Sequence, residues 1–484
     1  MSKDELIALH NEELILKNEE INCLKDELSQ LKKLIYGVKS ERHIPALSPD
    51  QLSIFDKEET SQEEFPQNNE VITYTRSKNK KESHPGRNPL PEHLPVEEVI
   101  IEPEEDTQGL IKISEEVTDT IEYTPASLVI KRTIRPKYAK TEGQGVMIAS
   151  LPDRPLPKAI AEASLLAYVL VCKFVEHMPF YRLIQKLERD YKWKLASSTL
   201  NDWFTQVCIL LDPLYNKLKE KLLDSNYIQV DESPIKVQDS DKKGKTHQGY
   251  QWVYHSPQDR LILFNYRKGR GMQGPKELLG DYQGILQCDG YTVYDKIGRT
   301  KGITLAGCLV HVRRKYVGAK QSDKGRANYA LEIFKQIYGH ELKAKESEDR
   351  KAYRETHILP LLKQLKEWIN EESIKVLPKS LMGKAMRYTL NQWEKLMGIF
   401  TDGIVELDNN LIENKIRPLA LGRKNYLFAG SHNGAQRIAM MYSFFATCKA
   451  NDTNPYEWLK STLEQIPNTS IQDLEALLPN NYNT

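Results

Sequence analysis

The sequence predicts an α+β protein of several domains, centred on an α/β core with a helical insertion. Three observations carry this reading. At 484 residues the chain exceeds what one hydrophobic core ordinarily serves. Its first residues repeat apolar side chains every seven positions, the period of a coiled coil. From residue 227 helical periodicity gives way to short β-rich runs, and helix resumes near residue 310.

Composition narrows the class. Hydrophobic residues make up 40%, enough for ordinary cores, and the formal charge is +1. No global field announces a nucleic-acid partner, so binding to DNA requires local basic patches. No run approaches the roughly 18 apolar residues of a membrane span. The polar, acidic N-terminus with its regular leucines does not read as a signal peptide. Six scattered cysteines, none in a CxxC pair, point to reduced thiols and a cytoplasmic setting, and argue against a cysteine zinc site.

The elements follow in order. Ile7, Leu14, Ile21, Leu28 and Ile35 fall seven apart, and Leu24, Leu31 and Val38 supply a second seam in the later turns, while His10 and Lys17 spoil it earlier. Residues 1–44 are therefore expected to form a self-associating coiled coil, with a lone amphipathic helix as the alternative. Residues 45–93 are polar, rich in Glu, Asn, Lys and Pro, and read as a flexible linker. Residues 94–150 alternate in short runs, 96–101, 111–113, 118–123 and 128–135, and suggest a small antiparallel β module whose last strand is basic. Residues 151–223 read as a helical, helix-turn-helix-like domain. Within it Ser197, Ser198 and Thr199 stand where the second helix needs a cap. DNA recognition and plain helix packing fit this hairpin equally.

Strands are expected over 227–230, 249–255 and 261–266, separated by loops of Asp, Lys, Gly, Ser and Pro. A helical crossover near 274–279 leads to strands at 285–288 and 303–308. Three antiparallel strands, a crossover helix and two further strands form the ribonuclease-H-like order. In that order the first and fourth strands are neighbours. Asp231 ends the first run and Asp289 the fourth, so the two acids are expected to face each other. Paired carboxylates suit magnesium, which prefers oxygen ligands and keeps several waters. Two such ions about 3.5 to 4 Å apart stabilise the attacking and leaving oxygens of a phosphodiester. Each acid alone is weak evidence, since most aspartates after strands form turns. Glu232 strengthens the case for Asp231 by placing two acids at one strand end.

Glu406, Asp408 and Glu413 are the candidates for a third acid. Asp408 precedes Asn409 and Asn410 like a helix cap. Glu413 is expected more than a turn inside a short helix that Pro418 stops, and is favoured for that reason. Arg313, Arg314 and Lys315 follow His311, and Lys415, Arg417, Arg423 and Lys424 follow Glu413. These cations suit the phosphates of a bound strand. His311 reads either as a phosphate or water contact or as a structural histidine. The catalytic core is expected over 224–321 and 398–460, split by a helical insertion at 322–397, with a C-terminal tail at 461–484.

These residues carry a resemblance to the IS66-type transposases of bacterial insertion sequences. It rests on residues 34–42, 86–95, 134–138, Val230 to Pro234, Gln287 to Tyr291, Cys308 to Lys315 and above all Asp408 to Ser431, in order along nearly the whole chain. The resemblance implies a DDE transposase with Asp231, Asp289 and Glu413 as catalytic and metal-binding triad. It implies Mg²⁺, with Mn²⁺ able to substitute, end-specific DNA binding and element-encoded accessory proteins. Two departures stand out. Family members carry cysteine pairs in the small β module, whereas residues 102–106 and 139–143 hold no cysteine here, so no zinc is expected. The family's Glu-Arg pair is Glu413-Asn414.

The expected function is DNA cleavage at element ends and transfer of the 3′-hydroxyl into target DNA by a homo-oligomer, at least a dimer. The expected setting is the bacterial cytoplasm, with nucleoid association when bound to DNA. The alternatives are a non-transposing ribonuclease-H-like nuclease and a catalytically dead DNA-binding protein.

Overall fold

The structure, a computed structural model, describes residues 127–134, 137–139, 146–148, 153–157, 159–238 and 244–482. The expected coiled coil, the linker and most of the β module lie outside these residues. Of the β module, strands β1 (Lys137–Ala139) and β2 (Val146–Ile148) pair antiparallel, with Tyr138 opposite Met147. The strand expected over 128–135 does not form across 127–134, where Val129, Ile130 and Ile134 are exposed. β propensity without a partner strand and a face to bury does not hold a strand.

Three helices follow. Helix α1 (Ala163–Phe174) buries Leu166, Ala167, Val169, Leu170, Cys172 and Phe174, residues spread around much of its circumference. Helix α2 (Phe180–Tyr191) is amphipathic, buries Phe180, Leu183 and Leu187, and ends at Lys192 in the left-handed conformation. Helix α3 (Ser197–Leu223) begins after Ala196, which takes the extended cap conformation without a side-chain bond. The serines expected to cap it are already inside its first turn. Far beyond the hairpin, the buried Tyr215 hydroxyl of α3 donates to Phe264 O in the sheet (2.7 Å).

The sheet has five strands in the order β5-β4-β3-β6-β7. Strands β3 (Tyr227–Gln238), β4 (Thr246–Ser256) and β5 (Leu261–Arg267) form an antiparallel meander. Helix α4 (Gln273–Leu279) then carries the chain across to β6 (Gly284–Gln287), which lies parallel to β3. Helix α5 (Thr292–Ile297) leads to β7 (Ile303–Ala306), parallel to β6. The first and fourth strands of this sheet are therefore neighbours, as the run order predicted. Strand β3 is much longer than the expected 227–230, because β4 continues to pair with it as far as Gln238.

Helix α6 (Leu309–Ala319) opens a helical stretch of α7 (Lys324–Glu346), α8 (Arg350–His357), α9 (Leu359–Ser373), α10 (Leu381–Asn391) and α11 (Trp393–Met397). Its core, built on Leu309, Phe334, Leu362 and Met386, meets the sheet at Tyr227, Ile285 and Ala306. Helices α12 (Asn410–Tyr426), α13 (His432–Ala450) and α14 (Pro455–Gln465) complete the chain. Helices α1–α3 and α12–α14 share a second, continuous core with the sheet. Edge strand β5 is covered rather than left open. Ser443 and Thr447 of α13 accept from Phe264 N (2.8 Å) and Ile262 N (3.1 Å), using backbone groups that would otherwise recruit another strand. Among the described residues no helix is long and apolar enough to cross a membrane.

Candidate active site

The site begins with two matching tripeptides, Gln229-Val230-Asp231 on β3 and Gln287-Cys288-Asp289 at the end of β6. Parallel pairing sets Gln229 against Gln287 as the last pair of the ladder, and Asp231 and Asp289 each follow two residues on, near enough for the charge of Asp289 to bear on Asp231. The glutamines are fully buried and bonded to each other, Gln229 Nε2 to Gln287 Oε1 at 2.9 Å. The Tyr227 hydroxyl donates to the same oxygen, and Gln287 Nε2 reaches Gly307 O (3.0 Å) and Glu406 O (2.7 Å). Buried amides with these partners are costly to misplace, so the network holds the strands in this register.

Asp231 does not end its strand. It lies where β6 stops and β3 continues alongside β4 alone. Burial pushes its carboxyl well above the usual carboxylate range, and the charges of Glu232, Asp289 and Glu413 add to the shift. Asp289 sits just beyond β6, with its Oδ1 accepting from Tyr291 N (2.9 Å). Side-chain alternation places Tyr227, Gln229, Asp231 and Ser233 on one face of β3, the face along which α12 lies.

The later acids are differently occupied. Glu406 pairs with Lys345 (2.9 Å) and Arg350 (3.0 Å); burial pushes it upward, but these cations outweigh that and hold it below its ordinary value. Asp408 is not the N-cap expected of it, since Asn409 holds that position, but from one residue earlier it accepts from the first helical amide, Asn410 N (3.0 Å), and burial raises its pKa. Glu413 is buried in the first turn of α12, not more than a turn inside. Its Oε1 lies 3.7 Å from His311 Nε2 on α6.

Helix α12 is not stopped by Pro418. It runs on to Tyr426 because contacts with β3 hold it at both ends. At its start Asn409 Nδ2 donates to Val230 O (3.1 Å), directly before Asp231, and Asn409 N–H reaches Cys308 Sγ (3.2 Å). Near its end Arg423 donates to Ser233 Oγ (3.1 Å) and Pro234 O, and Ala429 joins β3 through Gln238 N to Ala429 O (2.8 Å).

The basic residues divide by position. Arg313, Arg314 and Arg417 are half-buried, and Lys315 and Lys424 are exposed. Lys315 Nζ lies 5.3 Å from the centre of the Tyr388 ring. Arg423 spends its guanidinium on β3, where burial lowers its pKa. Burial also lowers Lys415, whose charged neighbours are Lys449, Arg260 and Asp452 rather than the three acids.

Sequence reasoning missed Gln229, Gln287, Asn409 and Tyr388. The repeated Gln-x-Asp pattern was a signal for the glutamines. Tyr388 comes from the insertion, and its hydroxyl lies so near Gly290 that any Cβ there would meet it at 2.4 Å.

The donor set is all hard oxygen, and at Asp231 burial and repulsion both favour a compensating cation, so in kind these groups suit a hard divalent ion. Among the described residues, however, no three or more His, Cys, Asp or Glu side chains are drawn together closely enough to hold an ion as they stand.

Comparison with known proteins places this chain among the transposases. Residues 158–437 match the family described as Transposase IS66 family, 443–480 its IS66 C-terminal element, and 23–99 the element described as Transposase C of IS166 homeodomain. The chain belongs to the IS66 transposase family. Two proteins of Sinorhizobium fredii, named uncharacterized proteins y4jD and y4qI, are similar throughout. The first is 32% identical over 485 residues, covering 95% of this chain and 94% of its own. The second is 30% identical over 481 residues, covering 94% and 88%.

Proposed function

We propose that this transposase cleaves DNA at the ends of its element and joins the freed 3′-hydroxyl to target DNA, on a ribonuclease-H-like core with Asp231, Asp289 and Glu413 as its acids. One observation supports the reading: the charges of Asp289 and Glu413 both bear on the buried Asp231, two residues beyond the Gln229–Gln287 pair and beside the strand to which the Glu413 helix is tied. Glu406 is the weaker third acid, because Lys345 and Arg350 already neutralise it.

Asp231, Asp289 and Glu413 would hold Mg²⁺, with Mn²⁺ able to substitute. Bound there, the ions would supply Lewis-acid stabilisation of the attacking and leaving oxygens. The chain's own residues do the rest. The glutamine pair keeps the strands in register, and Asn409 ties the Glu413 helix to the strand that carries Asp231. His311 is placed to orient a phosphate or a water beside Glu413. Arg313, Arg314, Lys315, Arg417 and Lys424 offer charge to the DNA backbone. Arg423, a DNA contact on sequence grounds, acts through the strand it grips. Pairing of protomers by the N-terminal heptads belongs to the same reading, since two element ends must be brought together.

The test is incubation of purified protein with labelled element-end DNA and a second duplex, with and without Mg²⁺. Wild type is expected to nick and join only with the metal. Asp231→Asn, Asp289→Asn and Glu413→Gln are expected to lose at least about 10²-fold in rate while binding end DNA normally. Nicking without joining would indicate a nuclease, and binding with neither would indicate a catalytically dead protein. Equal nicking by wild type and Glu413→Gln would sink the triad.

A further inference from the structure

Glu232 follows Asp231 and has no part in the chemistry above. Strand alternation turns it to the opposite face of β3, where its side chain is only 2% exposed. Arg270 Nε donates to Glu232 Oε1 (2.7 Å), and the Tyr294 hydroxyl donates to Oε2 (2.7 Å). The Arg270 guanidinium lies against the Tyr291 ring, 4.1 Å from its centre, and the Tyr291 hydroxyl donates back to Arg270 O (2.8 Å). Tyr291 N–H in turn holds Asp289 Oδ1 (2.9 Å). The contacts run in a continuous path from Asp231 through Glu232, Arg270 and Tyr291 to Asp289.

We propose that Arg270 is a positioning residue that braces the two aspartates, holding Asp231 and Asp289 at the separation a divalent cation needs. This rests on the reading of those aspartates as metal-binding acids. Strand pairing between β3 and β6 ends at Gln229 and Gln287, two residues short of the aspartates, so no ladder fixes them directly. Like charges at that distance push apart. Arg270 grips the residue after Asp231 with one face of its fork and packs on the ring that follows Asp289 with its plane. It also neutralises Glu232, which would otherwise add a further negative charge beside the pair. Arginine suits this double role, because a lysine neither forks nor stacks in the same way. Arg270 is 46% exposed, so a direct phosphate contact is the competing role, and the test separates the two.

The experiment uses the full chain and Mn²⁺ alone as probe, with free Mn²⁺ followed by electron paramagnetic resonance. Binding of end DNA is measured separately in EDTA. Arg270→Ala is expected to weaken Mn²⁺ binding about 10- to 100-fold with DNA binding in EDTA unchanged. Arg270→Lys should not restore it. Tyr291→Phe keeps the ring but loses the bond to Arg270 O and is expected to weaken Mn²⁺ binding by less. It decides the matter if circular dichroism finds Arg270→Ala unfolded. Wild-type Mn²⁺ affinity in both Arg270→Ala and Tyr291→Phe overturns the brace. So does a loss of DNA binding with Mn²⁺ binding intact, which would make Arg270 a phosphate contact. Asp231→Asn separates the two readings. If it abolishes Mn²⁺ binding while Arg270→Ala and Tyr291→Phe both keep wild-type affinity, the brace fails and the acids stand. If wild type takes up no Mn²⁺, the reading of the acids fails and takes the brace with it.

Discussion

Asp231 holds its proton more tightly in the folded chain than in the unfolded one, because burial and three neighbouring acids oppose its charge. The sign of the consequence follows. The folded state binds more protons, so this residue contributes stability at low pH that is lost as pH rises through the unfolded value and on to the folded one. At neutral pH it is a liability carried for function. Asp231→Asn is therefore expected to raise the urea midpoint at pH 7 while removing nicking, and the gain should shrink toward pH 4. A lowered midpoint at pH 7 would count against the repulsion described. Asn409 is the opposite case, a buried side chain whose amide serves the Val230 carbonyl. Asn409→Ala should cost about 1 to 3 kcal/mol, measured by denaturant unfolding, because that carbonyl loses its partner. Asp231 and Asp289 were legible in the sequence, since each ends an apolar run. The role of Asn409 was not, because its partner is 179 positions away and no local pattern encodes that distance.

Among the elements, helix α12 decides where Glu413 sits. Local rules end it at Pro418, which lacks the N–H its helix requires. It continues because Arg423 and Ala429 tie its far end to β3, an interaction between segments about 190 residues apart. Arg423→Ala is expected to destabilise the chain by about 1 to 2 kcal/mol, the range for a charged hydrogen bond. The salt dependence of DNA binding should stay unchanged. A salt slope reduced by about one would instead make Arg423 a phosphate contact. Strand β3 repeats the lesson. Its first four residues were readable from apolar character, but residues 231–238 include acids and a proline and are strand only because β4 pairs with them.

At the scale of the whole molecule, the insertion and the sheet are joined by buried charge. Arg354 is fully buried, forks onto Glu341 (2.6 and 2.8 Å) and donates to Val405 O (2.7 Å). Arg350 bridges Glu341 to Glu406, whose own N–H is held by the Tyr227 hydroxyl (3.1 Å). The segment before the Glu413 helix is thus fixed from the insertion on one side and the sheet on the other. Arg354→Ala should cost about 1 to 3 kcal/mol, since it leaves the Val405 carbonyl without this donor and Glu341 with Arg350 as its remaining guanidinium, and should lower nicking with it. An unchanged urea midpoint would contradict this account. The order of helix and strand runs, the two aspartates and the cluster of later acids were all determined by the sequence itself, because periodicity and residue type are local properties. Only the tertiary structure decided the register that pairs Gln229 with Gln287 two residues before the aspartates, the occupation of Glu406 by Lys345 and Arg350, and the passage of α12 through Pro418. Each depends on partners brought from more than fifty residues away, and the free energy of those contacts exists only once the chain has folded.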